Sequence, residues 1–173
     1  MNKHSVMNEV KDWVKSIALA IALAFLIHYF IIEPYKVEGP SMLPTLVQDD
    51  RVMVNKFVYR LHPPQRGDII VFQYPLDPDR DFIKRVIAVG GDTIQVNNGQ
   101  VLVNGQQLTE PYILEPTNGS YPLKTVPEGH YFVMGDDRNN SEDSRFSVGF
   151  LPSQFVKGKA MAIFWPLQKI ANL

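Results

Sequence analysis

The sequence predicts a mostly β fold behind one N-terminal transmembrane helix, and three observations carry that prediction. Residues 16–32 form an unbroken apolar run. After residue 33 the chain reads as short alternating runs separated by turn residues. No later segment offers ten residues of helical period, and thirteen prolines punctuate the loops. The expected layout is a cytoplasmic N-terminus over 1–15, a transmembrane anchor over 16–32 and a single extracytoplasmic domain of antiparallel sheets over 33–173.

The anchor comes first. Ser16 to Ile32 reads SIALAIALAFLIHYFII, without a formal charge at neutral pH. A straight helix of this length spans about 26 Å, slightly less than a ~30 Å hydrocarbon core. Trp13 and Val14 can extend it, and Trp13 and Tyr29 suit the two interfaces. Lys3, Lys11 and Lys15 precede the run while only Lys36 follows closely, so the positive-inside rule places residue 33 onward outside. A cleaved leader would need small residues just after the run, where the chain has Glu33-Pro34-Tyr35-Lys36-Val37. A buried globular helix would need a polar face, which this segment almost lacks. Glu33-Pro34 is expected to end the helix, because the residue before proline is pushed out of helical space.

Strands are predicted over Arg51–Val58 and over Asp68–Phe72, the latter following the turn signal Arg66-Gly67. Further strands are expected at Phe82–Val89, Tyr131–Met134 and Ala160–Trp165. Between them, Thr93–Val96, Asn97-Asn98-Gly99, Gln100–Val103 and Asn104-Gly105 read as a meander of hairpins. Glu110 to Gly129, rich in Pro, Thr, Asn and Gly, is the longest expected excursion. No repeat at a solenoid period is present.

Composition narrows the function. With 173 residues and a net charge of −1, the chain can bury a real core but has no field to attract nucleic acid. It contains no cysteine, which excludes disulfides and thiolate zinc sites.

Two segments carry candidate chemistry. Pro40-Ser41-Met42-Leu43-Pro44-Thr45 places a hydroxyl in a proline-stiffened segment just beyond the apolar run. A serine needs a neighbouring base before it becomes a useful nucleophile. Of the four histidines, His4 precedes the run, His28 lies in it near its outer end, and His62 is in a proline-rich loop. His130 with Asp136 could complete a Ser-His-Asp set, although Ser41 lacks the Gly-x-Ser-x-Gly elbow. Lys84 is the alternative base. Alternation puts Phe82, Lys84, Val86 and Ala88 on one strand face, where desolvation lowers a lysine pKa. A drop of about 2–3 units would bring the amine into useful range. An edge-strand lysine with its amine in water is the plain alternative. By itself the 135–145 block reads as a polar loop.

Four blocks occur in order: Pro40–Leu46, Arg66–Phe72, Lys84–Asp92 and Gly135–Arg145. Together they resemble the bacterial type I signal peptidases, membrane-anchored Ser-Lys proteases, and the short chain resembles their Gram-positive form. The resemblance implies Ser41 as nucleophile, Lys84 as general base and Ser141 as the polar residue that hydrogen-bonds and orients the lysine. It implies a structural ion pair between Asp143 and Arg145, and a second between Asp136 and Arg85. Gram-negative members carry a serine two residues before the nucleophile, and its hydroxyl donates to the oxyanion. Here that position is Gly39, so the oxyanion hole falls to backbone N–H groups, chiefly that of Ser41, with Gly39 placing another.

Under the same resemblance, an extended peptide adds itself beside strands Tyr35–Pro40 and Asp81–Lys84. Val37, Met42, Leu46, Val71, Phe82 and Ile83 match the family's shallow pockets for alanine-sized side chains. Ordinary core packing is the competing reading, strongest for Val71 and Leu46. The implied partners are signal peptides of exported preproteins and membrane lipid, with no cofactor, no metal, no nucleic acid and a monomeric chain. Phe57, Val58 and Tyr59 are candidates to rest on the outer leaflet. A self-cleaving repressor-type domain shares the Ser-Lys chemistry, but it should carry a DNA-binding domain and an internal Ala-Gly site. A non-catalytic anchored β module is the rival from another class.

Overall fold

The computed structural model describes residues 3–173, and their side chains except at 3–8 and 26–30. One helix, α1 (Lys3–Phe30), is followed by twelve strands. These are β1 (Ile32–Lys36), β2 (Arg51–Asn55), β3 (Ile69–Gln73), β4 (Asp81–Val89), β5 (Thr93–Asn97) and β6 (Gln100–Val103). The remainder are β7 (Gln106–Gln107), β8 (Tyr121–Thr125), β9 (His130–Met134), β10 (Leu151–Pro152), β11 (Val156–Trp165) and β12 (Ala171–Asn172).

The strands form two antiparallel sheets. The larger runs β1-β2-β11-β3-β4-β9-β10, with β12 added to β11; the smaller runs β7-β6-β5-β8. Alternating side chains of the large sheet build two cores. Val52, Val54, Ile69, Val71 and Ala160 pack on one face together with Met42 and Leu46. Ile70, Phe72, Val86, Val133 and Leu151 pack on the other. A third core, with Ile87, Ala88, Ile94, Val101 and Phe132, joins the two sheets.

Several expectations need adjustment. The helix begins well before residue 16 and ends at Phe30, two residues short of the predicted end of the anchor. Ile32–Lys36 is already strand, and Pro34 is tolerated there because β1 pairs only with β2. Among the described residues no helix is long and apolar enough to cross a membrane. The predicted anchor includes 26–30, so the expectations for the side chains of His28 and Tyr29, like that for His4, lie outside the described residues.

The strand predicted over Arg51–Val58 stops at Asn55. The Asn55 side-chain oxygen accepts the N–H groups of Phe57 and Val58 at 2.8 and 3.0 Å and turns the chain into a short 3₁₀ segment. The excursion over 110–129 contains β8, held on the edge of the small sheet by β5. In β4 a bulge between Val86 and Ala88 breaks the alternation, so Ala88 joins the third core and not the face shared by Phe82, Lys84 and Val86.

Candidate active site

Ser41 sits on a turn that the sequence builds from both ends. Gly39 adopts φ +80°, a left-handed conformation that glycine takes without strain, and this directs the chain away from the β1 edge. Leu43 N–H then donates to the Pro40 carbonyl and Leu46 N–H to the Met42 carbonyl, both at 2.9 Å. Met42 and Leu46 are fully buried and pin the turn to the core. A third tie comes from the 135–145 loop, where Asp137 N–H donates to the Ser41 carbonyl at 3.1 Å.

Lys84 arrives from β4. It is 4% exposed, and its Nζ donates to Ser41 Oγ at 2.8 Å and to the Ile83 carbonyl at 3.0 Å. The Phe82 ring lies 5.1 Å from the amine. Burial lowers the lysine pKa to about 8, against the opposing pull of the Asp143, Glu142 and Asp136 carboxylates. A drop of this size is what a lysine needs to serve as a base near neutral pH.

Ion pairs rigidify the surroundings. Arg85 donates twice to Asp136, at 2.8 and 2.6 Å, and Thr45 Oγ1 donates to the same carboxylate at 2.5 Å. Arg145 donates to Asp143 at 2.9 and 2.8 Å, and Gly135 N–H donates to Asp143 at 3.1 Å. Both predicted pairs therefore form, and both anchor loops that touch Ser41. The alternative triad does not assemble: His130 Nδ1 lies 2.9 Å from the Glu128 carbonyl oxygen, while Asp136 is engaged by Arg85 and Thr45.

Ser141 departs from expectation. Its hydroxyl is buried without a hydrogen-bond partner and does not reach the lysine, whose two bonds go to Ser41 and Ile83. The side chain is nonetheless at the site. A Cβ built at Gly135 would collide with both Ser141 Oγ and the Ser41 carbonyl, so Gly135 is the residue that lets the two segments meet.

A groove of about 420 Å³ opens over Ser41 and Lys84. Val37, Val71, Phe82 and Ile83 line it as predicted, whereas Met42 and Leu46 lie under the turn in the core and do not. Tyr35, expected only as part of a flanking strand, also lines it, and the sequence reading missed Val52 and Glu142. Burial raises the Tyr35 pKa well above its usual value, with the carboxylates of Glu33 and Asp81 adding to the effect.

The groove's flanks are strand edges with main-chain groups to spare. Val37 exchanges hydrogen bonds with Asp49 and Asp50, so odd-numbered residues of this flank face β2 and Lys36 and Glu38 face outward. Arg80, just before β4, and Val86 bond toward β3, so Asp81 and the Ile83 N–H face the other way, where β9 begins pairing only at Arg85, while the Ile83 carbonyl already accepts the Lys84 amine. Ser41 N–H has no acceptor within the chain among the described residues, which leaves it available to a developing oxyanion. Among the described residues, no group of three or more His, Cys, Asp or Glu is placed to hold a metal ion.

Three comparisons bear on this arrangement. The family model for signal peptidase, peptidase S26, matches residues 10–165. A probable signal peptidase I-1 of Synechocystis sp. is 47% identical over 95% of this chain and 87% of its own length. Signal peptidase I P of Bacillus subtilis subsp. natto is 38% identical over 95% of this chain and 94% of its own. The crystal structure of a signal peptidase I from Enterococcus faecalis V583 superposes with a TM-score of 0.51 at 33% identity, covering 56% of this chain and 95% of that one. A peptidase chemistry follows, and the chain belongs to the signal peptidase family, peptidase S26.

Proposed function

We propose that this chain is a membrane-anchored serine endopeptidase that removes N-terminal signal peptides from exported preproteins, with Ser41 as nucleophile and neutral Lys84 as general base. The observation that carries the reading is the 2.8 Å contact between a buried, pKa-lowered amine and Ser41 Oγ. An extended peptide pairs with the free edges at Lys36–Glu38 and Asp81–Ile83, and the small apolar surfaces of Val37, Val71 and Ile83 select short side chains near the cut.

Lys84 takes the Ser41 proton as Oγ attacks the scissile carbonyl. The Ser41 N–H meets the developing oxyanion, a task that at this chain's Gly39 position no side chain shares. The protonated amine then passes its proton to the leaving nitrogen, freeing the mature protein and leaving an acyl group on Ser41. Neutral again, Lys84 deprotonates a water that attacks the ester, then returns that proton to Ser41 Oγ as the acyl–oxygen bond breaks and the signal peptide leaves with a free carboxylate.

Anchoring is supported by the helix itself. Trp13, Ile17, Leu19, Ile21 and Leu23 are each at least half exposed, an apolar surface that water does not favour and lipid does. Lysines on the N-terminal side orient the catalytic domain outward. We take the working unit to be a monomer, with membrane lipid and the preprotein as its partners.

The test is incubation of the detergent-solubilised chain with a signal-bearing precursor, followed by N-terminal sequencing of the product. Ser41→Ala and Lys84→Ala should each abolish cleavage in a folded protein. Retained cleavage in Lys84→Ala would overturn the assignment of the base.

A further inference from the structure

We propose that the segment 110–118, which leaves the small sheet between β7 and β8, is a strap that positions the catalytic turn, with Glu110 and Tyr112 as its positioning residues. The inference rests on the reading of Ser41 and Lys84 as the reacting pair.

The strap grips the site along two routes. On the first, Glu110 pairs with Arg138 at 2.6 Å, with the two side chains 7% and 0% exposed. Arg138 Nε donates to the Gly135 carbonyl at 3.0 Å. Gly135 is the residue wedged against the Ser41 carbonyl and Ser141. On the second route, the Tyr112 ring lies 4.0 Å from the Arg85 guanidinium carbon. Arg85 follows Lys84 in β4 and holds Asp136, which in turn accepts the Thr45 hydroxyl four residues beyond the nucleophile. Tyr112 also ties the routes together, because its hydroxyl donates to Glu110 at 3.3 Å and its ring lies 5.7 Å from the Arg138 guanidinium.

A strap that only filled space would do so more cheaply with apolar side chains, since burying charge costs free energy even when it is paired. What this arrangement provides is direction. Arg85, bidentate on Asp136, is fixed in angle as well as distance, and the Tyr112 ring lies against both arginines. The next residues add to the grip: Asn118 N–H donates to Asn139 at 2.8 Å, on the loop that carries Ser141. The Gly135 carbonyl and the Asp136 carboxylate, on the loop that meets Ser41, are thus positioned from a segment that itself does not line the groove.

Full-length, detergent-solubilised Tyr112→Ala, Tyr112→Phe and Glu110→Gln are compared with wild type and Ser41→Ala, each assayed well below its own melting midpoint. We expect kcat to fall about tenfold or more in Tyr112→Ala and Glu110→Gln with KM nearly unchanged, as displacement of reacting groups requires. Tyr112→Phe, which keeps the ring on Arg85, should retain most of wild-type kcat. Hydrogen exchange should quicken at the Gly135 and Asp137 amides and leave the β5–β6 hairpin unchanged. Wild-type kcat in the folded variants, a rise in KM alone or uniformly faster exchange would each overturn the proposal. If Tyr112→Ala does not fold, Tyr112→Leu and Glu110→Gln decide it by the same readings. If wild type fails to cleave the precursor, the functional reading falls while the exchange measurement still decides the strap.

Discussion

The Lys84 amine has almost no water around it, so protonation is penalised and the free base becomes common. With a pKa of about 8, about one molecule in ten is neutral at pH 7, against fewer than about one in a thousand for an ordinary lysine. Below pH 8 the amine fills with protons and ceases to be a base. kcat/KM should therefore fall about tenfold per unit on the acid side of pH 8; a profile flat between pH 5 and 9 would count against it. The same shift has a stability consequence. A folded-state pKa below the unfolded one means that the unfolded chain holds the proton more tightly between about 8 and 10.5, so stability rises with pH across that window and the full penalty applies below it. Lys84→Met should thus be inactive yet more stable at pH 7, by up to about 3 kcal/mol, as read from urea unfolding. Ser141 offers a related contrast. Its hydroxyl is buried without a partner, so Ser141→Ala should unfold no more easily than wild type. A fall in kcat in that folded variant would show the hydroxyl turning to the lysine during turnover.

The site is assembled at the scale of elements, where a nine-residue strand, a proline-bounded turn and a polar loop converge. Much of this was legible in the sequence. Alternation put Lys84 on an apolar face, and Asp68–Phe72 and Phe82–Val89 were placed as strands to within a residue. Other features were not, for identifiable reasons. A bulge has no periodic signature, so Ala88 was assigned to the wrong face. β8 was hidden because it shows no alternation of buried and exposed positions and carries a proline, as an edge strand can. Met42 and Leu46 have the apolar character of a pocket lining, and only the tight turn after Pro40 directs them inward. The loop's dependence on its ion pair is testable. Asp143 is fully buried and serves both Arg145 and the Gly135 N–H, so Asp143→Ala leaves a buried guanidinium unpaired. Denaturant titration should show a loss of about 3–5 kcal/mol.

For the molecule as a whole, the large sheet supplies both walls of the groove. The helix runs directly into the β domain: just after it, Lys56 N–H donates to the Ile31 carbonyl at 2.8 Å, and β1 begins at Ile32. Among the described residues, none before Tyr35 lines the groove. A chain starting at Ile31 keeps β1 paired, and with it the free edge on which a substrate strand would lie. It should therefore cleave a short peptide with a kcat close to that of the full chain and fail to sediment with membranes. A chain starting at Val37 removes β1, strips β2 of its neighbour and exposes Val52 and Val54, so it should lose both cleavage and cooperative unfolding. If the two truncations behaved alike in the peptide assay, β1 would not be the wall against which substrate is held.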